Sequence, residues 1–335
     1  MVNIKDVAKL ANVSIATVSR ALAQPEKVSD KTREKVMRAV ASSGYVVNTL
    51  AQNFRRRRSN TVVVMVPDIA NPFFANIIQG IERVASSHKY RVLLSDTQGN
   101  EENERACGEI VTQKQADGII CLGRNIPFAY RKGRKSIDPA WPPFLMACEY
   151  HGEIPVPSVC IDNVAAAAEV VTYLSALGHR KIAYINGPKD SVLCQDRFQG
   201  YSNALHGSNI RVNKHWLAQG EFTLASGYEA MKMLLARKQR PTAVFCANDE
   251  MAIGAMQACR DEGLVLPSEM SIVGFDDLVF GEYTSPRLTT IHQPRNEIGE
   301  RVMTLMLEIL AGEKPKHSRI FLPHKLVIRE STASL

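Results

Sequence analysis

No stretch of this 335-residue chain approaches the roughly 18 consecutive apolar residues that a membrane-spanning helix requires. The opening segment, MVNIKDVAKLA, sets charges inside an amphipathic pattern and does not read as a secretory signal. The seven cysteines include no C-x-x-C pair and are odd in number. Most lie in apolar runs such as GIICLG and AVFCAND, which predicts buried thiols in a reducing cytoplasm and argues against a disulfide frame or a cysteine metal site. Motifs of common enzymes are missing too. There is no G-x-G-x-x-G, no G-x-x-x-x-G-K-[ST] and no G-x-S-x-G, and the eight histidines form no H-x-x-x-H pair. An enzyme reading, such as a sugar- or nucleoside-processing enzyme with a basic accessory domain, is left without a nucleophile, metal or phosphate loop. No cofactor is expected.

Excess charge is also missing from most of the chain. Residues 1–60 hold twelve Lys/Arg and four Asp/Glu, a net of +8, whereas the whole chain is +7. The remaining 275 residues are therefore close to neutral. Such asymmetry points to a polyanion partner for the N-terminal piece alone.

That piece reads as three short helices. Ile4, Val7, Ala8 and Ala11 follow helical spacing, Asn12-Val13 interrupts them, and Ser14 is placed to cap a second helix. A third follows VSD, with Ser29 as the expected cap, Val36 and Val40 on the inner face and Gly44 as the stop. Two helices joined by a tight turn, with a third behind, is helix-turn-helix architecture. In the stretch NVSIATVSRAL, Val18, Ala21 and Leu22 form one face, which leaves Ile15, Ala16 and Arg20 on the other. A helix lying in a DNA major groove has a use for that second face. Arg20 suits guanine O6 and N7, and Ile15 and Ala16 suit thymine methyls. Ser14, Thr17, Ser19 and Thr32 suit phosphate oxygens, which set register without reading sequence. The alternative is an ordinary surface helix with a stray isoleucine.

From residue 61 the pattern changes to apolar β-branched runs alternating with helical ones: TVVVMVPD, then FFANIIQGIERVASS, then YRVLLSD, and onward through ADGIICLG, SVCIDN, KIAYINGP, TAVFCAND and MSIVGFDD. This alternation predicts doubly wound parallel sheets with helices on both faces, and the length suits two lobes. Most of these runs end in polar residues, among them Asp68, Asp96, Asp162, Asn186, Asn248 and Asp276. In open parallel sheets a ligand sits outside the carboxyl ends of the strands.

The chain resembles the LacI/GalR family of bacterial repressors. IKDVAKLANVSIATVSRAL followed by VSDKTREKVMRAV is similar to the family headpiece, and the body resembles the family's periplasmic-binding-protein-type fold. The resemblance implies a headpiece at 1–45, a hinge or linker at 46–60 and a ligand-binding and dimerisation domain at 61–335. Within that domain it implies an N-lobe of 61–161 with 293–321 and a C-lobe of 163–289 with 323–335. It implies that Ile15, Ala16 and Arg20 read bases, and that Phe54 in VVNTLAQNFRRRRSN wedges into the minor groove when paired hinges fold on an operator. The chain departs from the family here, with Val46-Val47 where proline is frequent and four arginines at 55–58, so a merely flexible basic linker stays open.

The resemblance also carries ligand contacts. Arg197 matches the arginine that holds ligand hydroxyls, Asp276 the aspartate that accepts from them, and Asn248 a further polar contact. Phe222 matches an aromatic that closes over the ligand, with Phe73 and Phe74 on the facing lobe. Core packing for the rings and a plain salt bridge for Arg197 and Asp276 are the ordinary alternatives. Asp162 is either a ligand contact or a cap at a crossover. VLCQDRFQGYSNAL and TTIHQPRNEIGE look most like the cytidine-repressor branch, which implies cytidine as inducer; RPTAVFC and LTTIHQP are shared with the purine-repressor branch, which implies a purine base as corepressor. Operator DNA, a second copy of the chain and the cyclic-AMP receptor activator are the implied macromolecular partners.

Overall fold

The structure, a computed structural model, describes residues 2–45, 58–131, 133–315 and 317–335. The chain divides into two compact units between residues 57 and 58.

The first unit holds three helices, α1 (Ile4–Leu10), α2 (Ile15–Ala23) and α3 (Asp30–Ser43). Asn3 caps α1 in a reciprocal box with Asp6. Asn12 takes a left-handed φ of 52°, which ends the first helix and aims the second. Val7, Ala8, Val18, Ala21, Val36 and Ala39 make the core of this unit. Side chains that small let three short helices approach closely. Gly44, at φ 66°, stops α3 as expected. The expected Ser29 cap is not made. Ser29 Oγ instead lies 3.0 Å from Thr32 Oγ1, so the two hydroxyls satisfy each other.

The second unit contains two parallel sheets. The first has six strands in the order β11-β5-β4-β3-β1-β2: Arg319–Leu322, Ser158–Ile161, Phe144–Ala147, Gly118–Cys121, Thr61–Val66 and Arg91–Asp96. The second has four, in the order β7-β6-β8-β9: Leu217–Gln219, Ile182–Asn186, Ala243–Cys246 and Ser271–Val273. β10 (Thr290–His292) and β12 (Lys325–Val327) form a separate antiparallel pair.

Strand β1 shows why its sequence is apolar throughout. Val62, Val64 and Val66 belong to one buried cluster with Ile77, Ile81 and Val302, while Val63 and Met65 belong to another with Cys107 and Val111. Alternate side chains meet helices on opposite faces, so no position is free to be polar. The helices of this sheet are α4 (Pro72–Ser87), α5 (Glu101–Thr112) and, much later in the chain, α10 (Arg295–Leu310). α4 and α10 cross at Gly80 and Gly299, where a Cβ on either glycine collides with the other helix's backbone. The second sheet carries α6 (Asn163–Ala176), α7 (Val192–Gly207), α8 (Leu224–Leu235) and α9 (Asp249–Asp261). The chain leaves the first sheet after Ile161, returns between β10 and α10, and leaves it again after Leu322. All seven cysteines are free and buried. No helix among the described residues is long and apolar enough to cross a membrane.

Candidate functional site

On α2, Ser14 Oγ accepts from the N–H of Thr17 at 3.1 Å and lies 2.8 Å from its hydroxyl. The cap fixes the first turn of the helix. Val18 and Ala21 are buried, whereas Ile15 is 42% exposed and Ala16 and Arg20 are exposed beside it. The Arg20 side chain has no ion pair or hydrogen bond among the described residues. Ser14 is exposed on the same helix; Thr17, Ser19 and Thr32 are half-buried. The face that puzzles in the sequence is thus an open surface with an unpaired guanidinium. Phe54 and Arg55 to Arg57 lie outside the described residues. Arg58 belongs to the second unit, where its guanidinium donates to the Leu310 carbonyl at 2.7 Å.

In the second unit a cavity of about 290 Å³ lies between the carboxyl ends of the two sheets. That is near the lower end of small-molecule sites, roughly 300–1,000 Å³. Phe73, Phe74, Arg197, Phe222, Asn248 and Asp276 all line it. Asp162 does not. It is exposed, and its carboxylate accepts from the N–H of Ala165 at 2.9 Å, capping α6. Its neighbour Asn163 supports the site from behind the lining, because its Oδ1 accepts from Arg197 Nε at 2.9 Å.

Arg197 is held on three sides. Nε is bonded to Asn163, one outer nitrogen donates to the Ala247 carbonyl, and the guanidinium stacks 3.7 Å above the Phe275 ring. The other outer nitrogen has no protein partner among the described residues, which leaves it to a ligand. Asp276 accepts from Gln293 Nε2 at 2.7 Å through one oxygen and leaves the other open. Burial raises its pKa to about 6, against the opposing pull of Arg197 and Arg295. No direct ion pair joins Arg197 to Asp276; each is held by other groups.

Asn248 lines the cavity and also braces its wall. Its Oδ1 caps α9 through the N–H of Met251 and its Nδ2 donates to the Phe222 carbonyl at 3.0 Å. It therefore holds Phe222, whose backbone is left-handed at φ 61°. The ring of Phe222 fills space that only a glycine at 187 leaves open. Phe73 and Phe74 meet edge to face, with centroids 5.3 Å apart, at the start of α4.

One wall residue carries no signal in the sequence. Glu149, two residues after β4, receives a 3.2 Å bond from Ser191 on Oε1, while Oε2 is buried with no partner among the described residues. Burial raises its pKa to about 7, with Ser191, Arg197 and Arg124 pulling the other way. Glu149–Ser191 links the two lobes across the cleft, and it is not alone. Arg124–Asp190 at 2.5 Å and Tyr150–Asp196 at 2.6 Å also cross it. The strand–helix alternation does not point to β4, nor therefore to its polar end.

Acids outnumber cations in the lining. Asp68, Glu104, Glu149, Glu221, Glu250 and Asp276 face only Arg124 and Arg197. Such a cavity repels a phosphate and welcomes a neutral ligand rich in hydrogen-bond donors.

Comparison with known proteins agrees with both units. Residues 3–48 match the model for bacterial regulatory proteins of the lacI family, and residues 171–332 match the periplasmic binding protein-like domain. The HTH-type transcriptional repressor CytR of Escherichia coli K12 is 42% identical over 332 residues, 99% of this chain and 96% of that protein. The repressor PurR of Vibrio vulnificus is 32% identical over the full length of both. Among solved structures, the lac repressor dimer bound to operator and an anti-inducer is 28% identical with a TM-score of 0.88, covering 99% of each chain. With relatives this similar along nearly its whole length, the chain belongs to the LacI family of bacterial regulatory proteins.

Proposed function

We propose that this chain is an operator-binding transcriptional repressor that works as a homodimer and is released from DNA by a pyrimidine nucleoside, cytidine. The cavity carries the effector reading. Arg197 and Asp276 each present an unfilled hydrogen-bonding atom there, aromatic rings come from both sheets, and acids predominate in the lining. An arginine fork and a carboxylate together suit the cis-diol of a ribose. Phe73, Phe74 and Phe222 suit a flat base, and the acid excess disfavours a phosphorylated nucleotide. Glu149 Oε2 is a further acceptor for a ligand donor. Asp162 is no part of this site.

Under the same reading the headpiece is 1–45 and the linker 46–60, with a ligand-binding body of two lobes at 61–335. Ile15, Ala16 and Arg20 read bases; Ser14, Thr17, Ser19 and Thr32 contact phosphates; Phe54 is the minor-groove wedge. A second copy doubles the base contacts and predicts a near-palindromic operator. Two exposed apolar patches support self-association: Ile69, Leu93 and Leu94 around edge strand β2, and Val279, Phe280 and Tyr283 beyond β9. Effector binding alters the spacing of the paired linkers and so the grip on DNA. It acts only through its differential affinity for the two states. The cyclic-AMP receptor activator is the expected companion on DNA.

A mobility-shift titration of the dimer on its operator, with cytidine, uridine, hypoxanthine and guanine, tests this. Cytidine should weaken operator binding at concentrations where the others do not. Tightening by a purine base supports the second reading, in which the chain follows its PurR-like relatives and the ligand is a corepressor. Turnover of bound nucleoside would return the enzyme reading.

A further inference from the structure

The ligand-facing Asp276 sits on an unusual backbone, with φ of 118°, and Asp277 follows at φ 56°. Two successive non-glycine residues with positive φ persist only where their surroundings hold them. The main chain supplies part of the restraint. The N–H of Asp276 donates to the Ile291 carbonyl at 2.8 Å, and the N–H of Leu278 donates to Asp249 Oδ2 at 2.7 Å. The rest comes from side chains outside the cavity lining. Arg329 donates to Asp277 Oδ1 at 2.7 Å, and His292 Nδ1 lies 2.8 Å from Asp277 Oδ2. Arg295 donates to the Asp277 carbonyl at 2.6 Å. Arg329 is tied down in turn by the Leu288 carbonyl, at 2.9 Å, and by Glu282, at 3.1 Å.

These partners belong to the turn after β9, to β10, to the first turn of α10 and to the tail beyond β12. They gather where the chain passes between its sheets. Side chains of Asp277 and Arg329 are only 17% and 11% exposed, so water competes weakly for the pair. Burial alone would raise the Asp277 pKa, yet the bonds from Arg329 and His292 outweigh it and hold the carboxyl below its ordinary value.

We propose that Asp277, Arg329 and His292 form a positioning cluster that holds Asp276 in its ligand-facing conformation, so that Arg329, itself outside the cavity lining, sets effector affinity. The role given to Asp276 rests on the effector reading above; the restraint on its backbone does not. Two measurements on the full chain separate them. Hydrogen exchange without ligand reads the amides of 276–278, and calorimetry reads cytidine affinity. Arg329→Met should speed exchange at 276–278 at least tenfold, with β6 unchanged, and weaken cytidine binding about tenfold or more. Arg329→Lys, which keeps a cation at Asp277, should recover most of both. Asp277→Asn combined with Arg329→Met should be little worse than Arg329→Met alone, because both act through one contact. Unchanged exchange at 276–278 in Arg329→Met overturns the proposal. So does exchange raised evenly across the chain with a fallen melting temperature, which makes Arg329 a stability residue only. If local exchange rises but wild type binds no cytidine, the cluster stands and the nucleoside reading fails.

Discussion

In the headpiece, the side chains with chemistry to do face outward: Ile15, Ala16 and Arg20 are exposed, and only small residues such as Val18, Ala21 and Ala39 lie inside. In the body they face inward: Arg197, Asn248 and Asp276 are each under 10% exposed, and Glu149 Oε2 is buried. The difference decides how each region is tuned. The Arg20 guanidinium lies open on an exposed helix face, whereas burial pushes Asp276 and Glu149 up to about 6 and about 7. An outward site acts through full charges on its partner and answers to salt. An inward site acts through desolvated groups and answers to pH and to loss of a single bond.

The sharpest test of the inward half is Asp276→Asn. Losing a buried, charge-assisted acceptor should weaken cytidine binding by about 3 kcal/mol, roughly 150-fold, in calorimetry. Operator binding without effector should stay within twofold. If operator affinity fell by as much, the two regions would not be separable in the way the comparison requires.

Glu149→Gln comes next. A carboxyl whose folded pKa is raised binds more protons folded than unfolded between its two values, so stability falls as pH rises through that window. For Glu149 the window runs from about 4.5 to about 7. Glutamine keeps the shape and removes the titration. Urea melts should therefore show the variant gaining on wild type by at most about 3 kcal/mol between pH 4.5 and pH 7.5, most of it by pH 7. A constant difference means the carboxyl is solvated in the folded protein.

What the sequence makes legible follows the same division. The outward face of α2 is legible, because a helix shows its two faces in a window of eleven residues. The parallel sheets are legible through the strand–helix rhythm. That rhythm also explains what stays hidden. Among the described residues no helix separates β3 from β4, so FLMA does not stand out as a strand and Glu149 does not stand out as a strand end. Asp162 and Asn163 are one residue apart at a helix start, about 100° around the axis. The first caps and the second supports Arg197, a distinction that needs the fold. The Arg329–Asp277 pair joins residues 52 apart and leaves no local signal at all.

For the outward half, Arg20→Ala should cost about 2 kcal/mol on the operator and relax preference at one base pair per half-site, as read by competition against substituted operators. An equal loss on random DNA would make Arg20 a phosphate contact, and the outward face would then position the protein without reading sequence.

The smallest effect belongs to Arg58, the last of the four consecutive arginines at 55–58. In the structure its guanidinium donates to the carbonyl of Leu310 at the end of α10, where the helix dipole favours a cation. Arg58 is exposed, so the interaction is worth only about 0.5 kcal/mol, but it gives the side chain a place in the body. Arg58→Ala should therefore leave the salt dependence of operator binding nearly unchanged, whereas replacing Arg55 to Arg57 should flatten it by close to one unit for each phosphate that is no longer neutralised. The measurement is the slope of log affinity against log salt for the two variants. If Arg58→Ala alone flattens it by a full unit, the outward region extends past residue 57, and the boundary between charge that meets DNA and charge that serves the fold lies further along the chain.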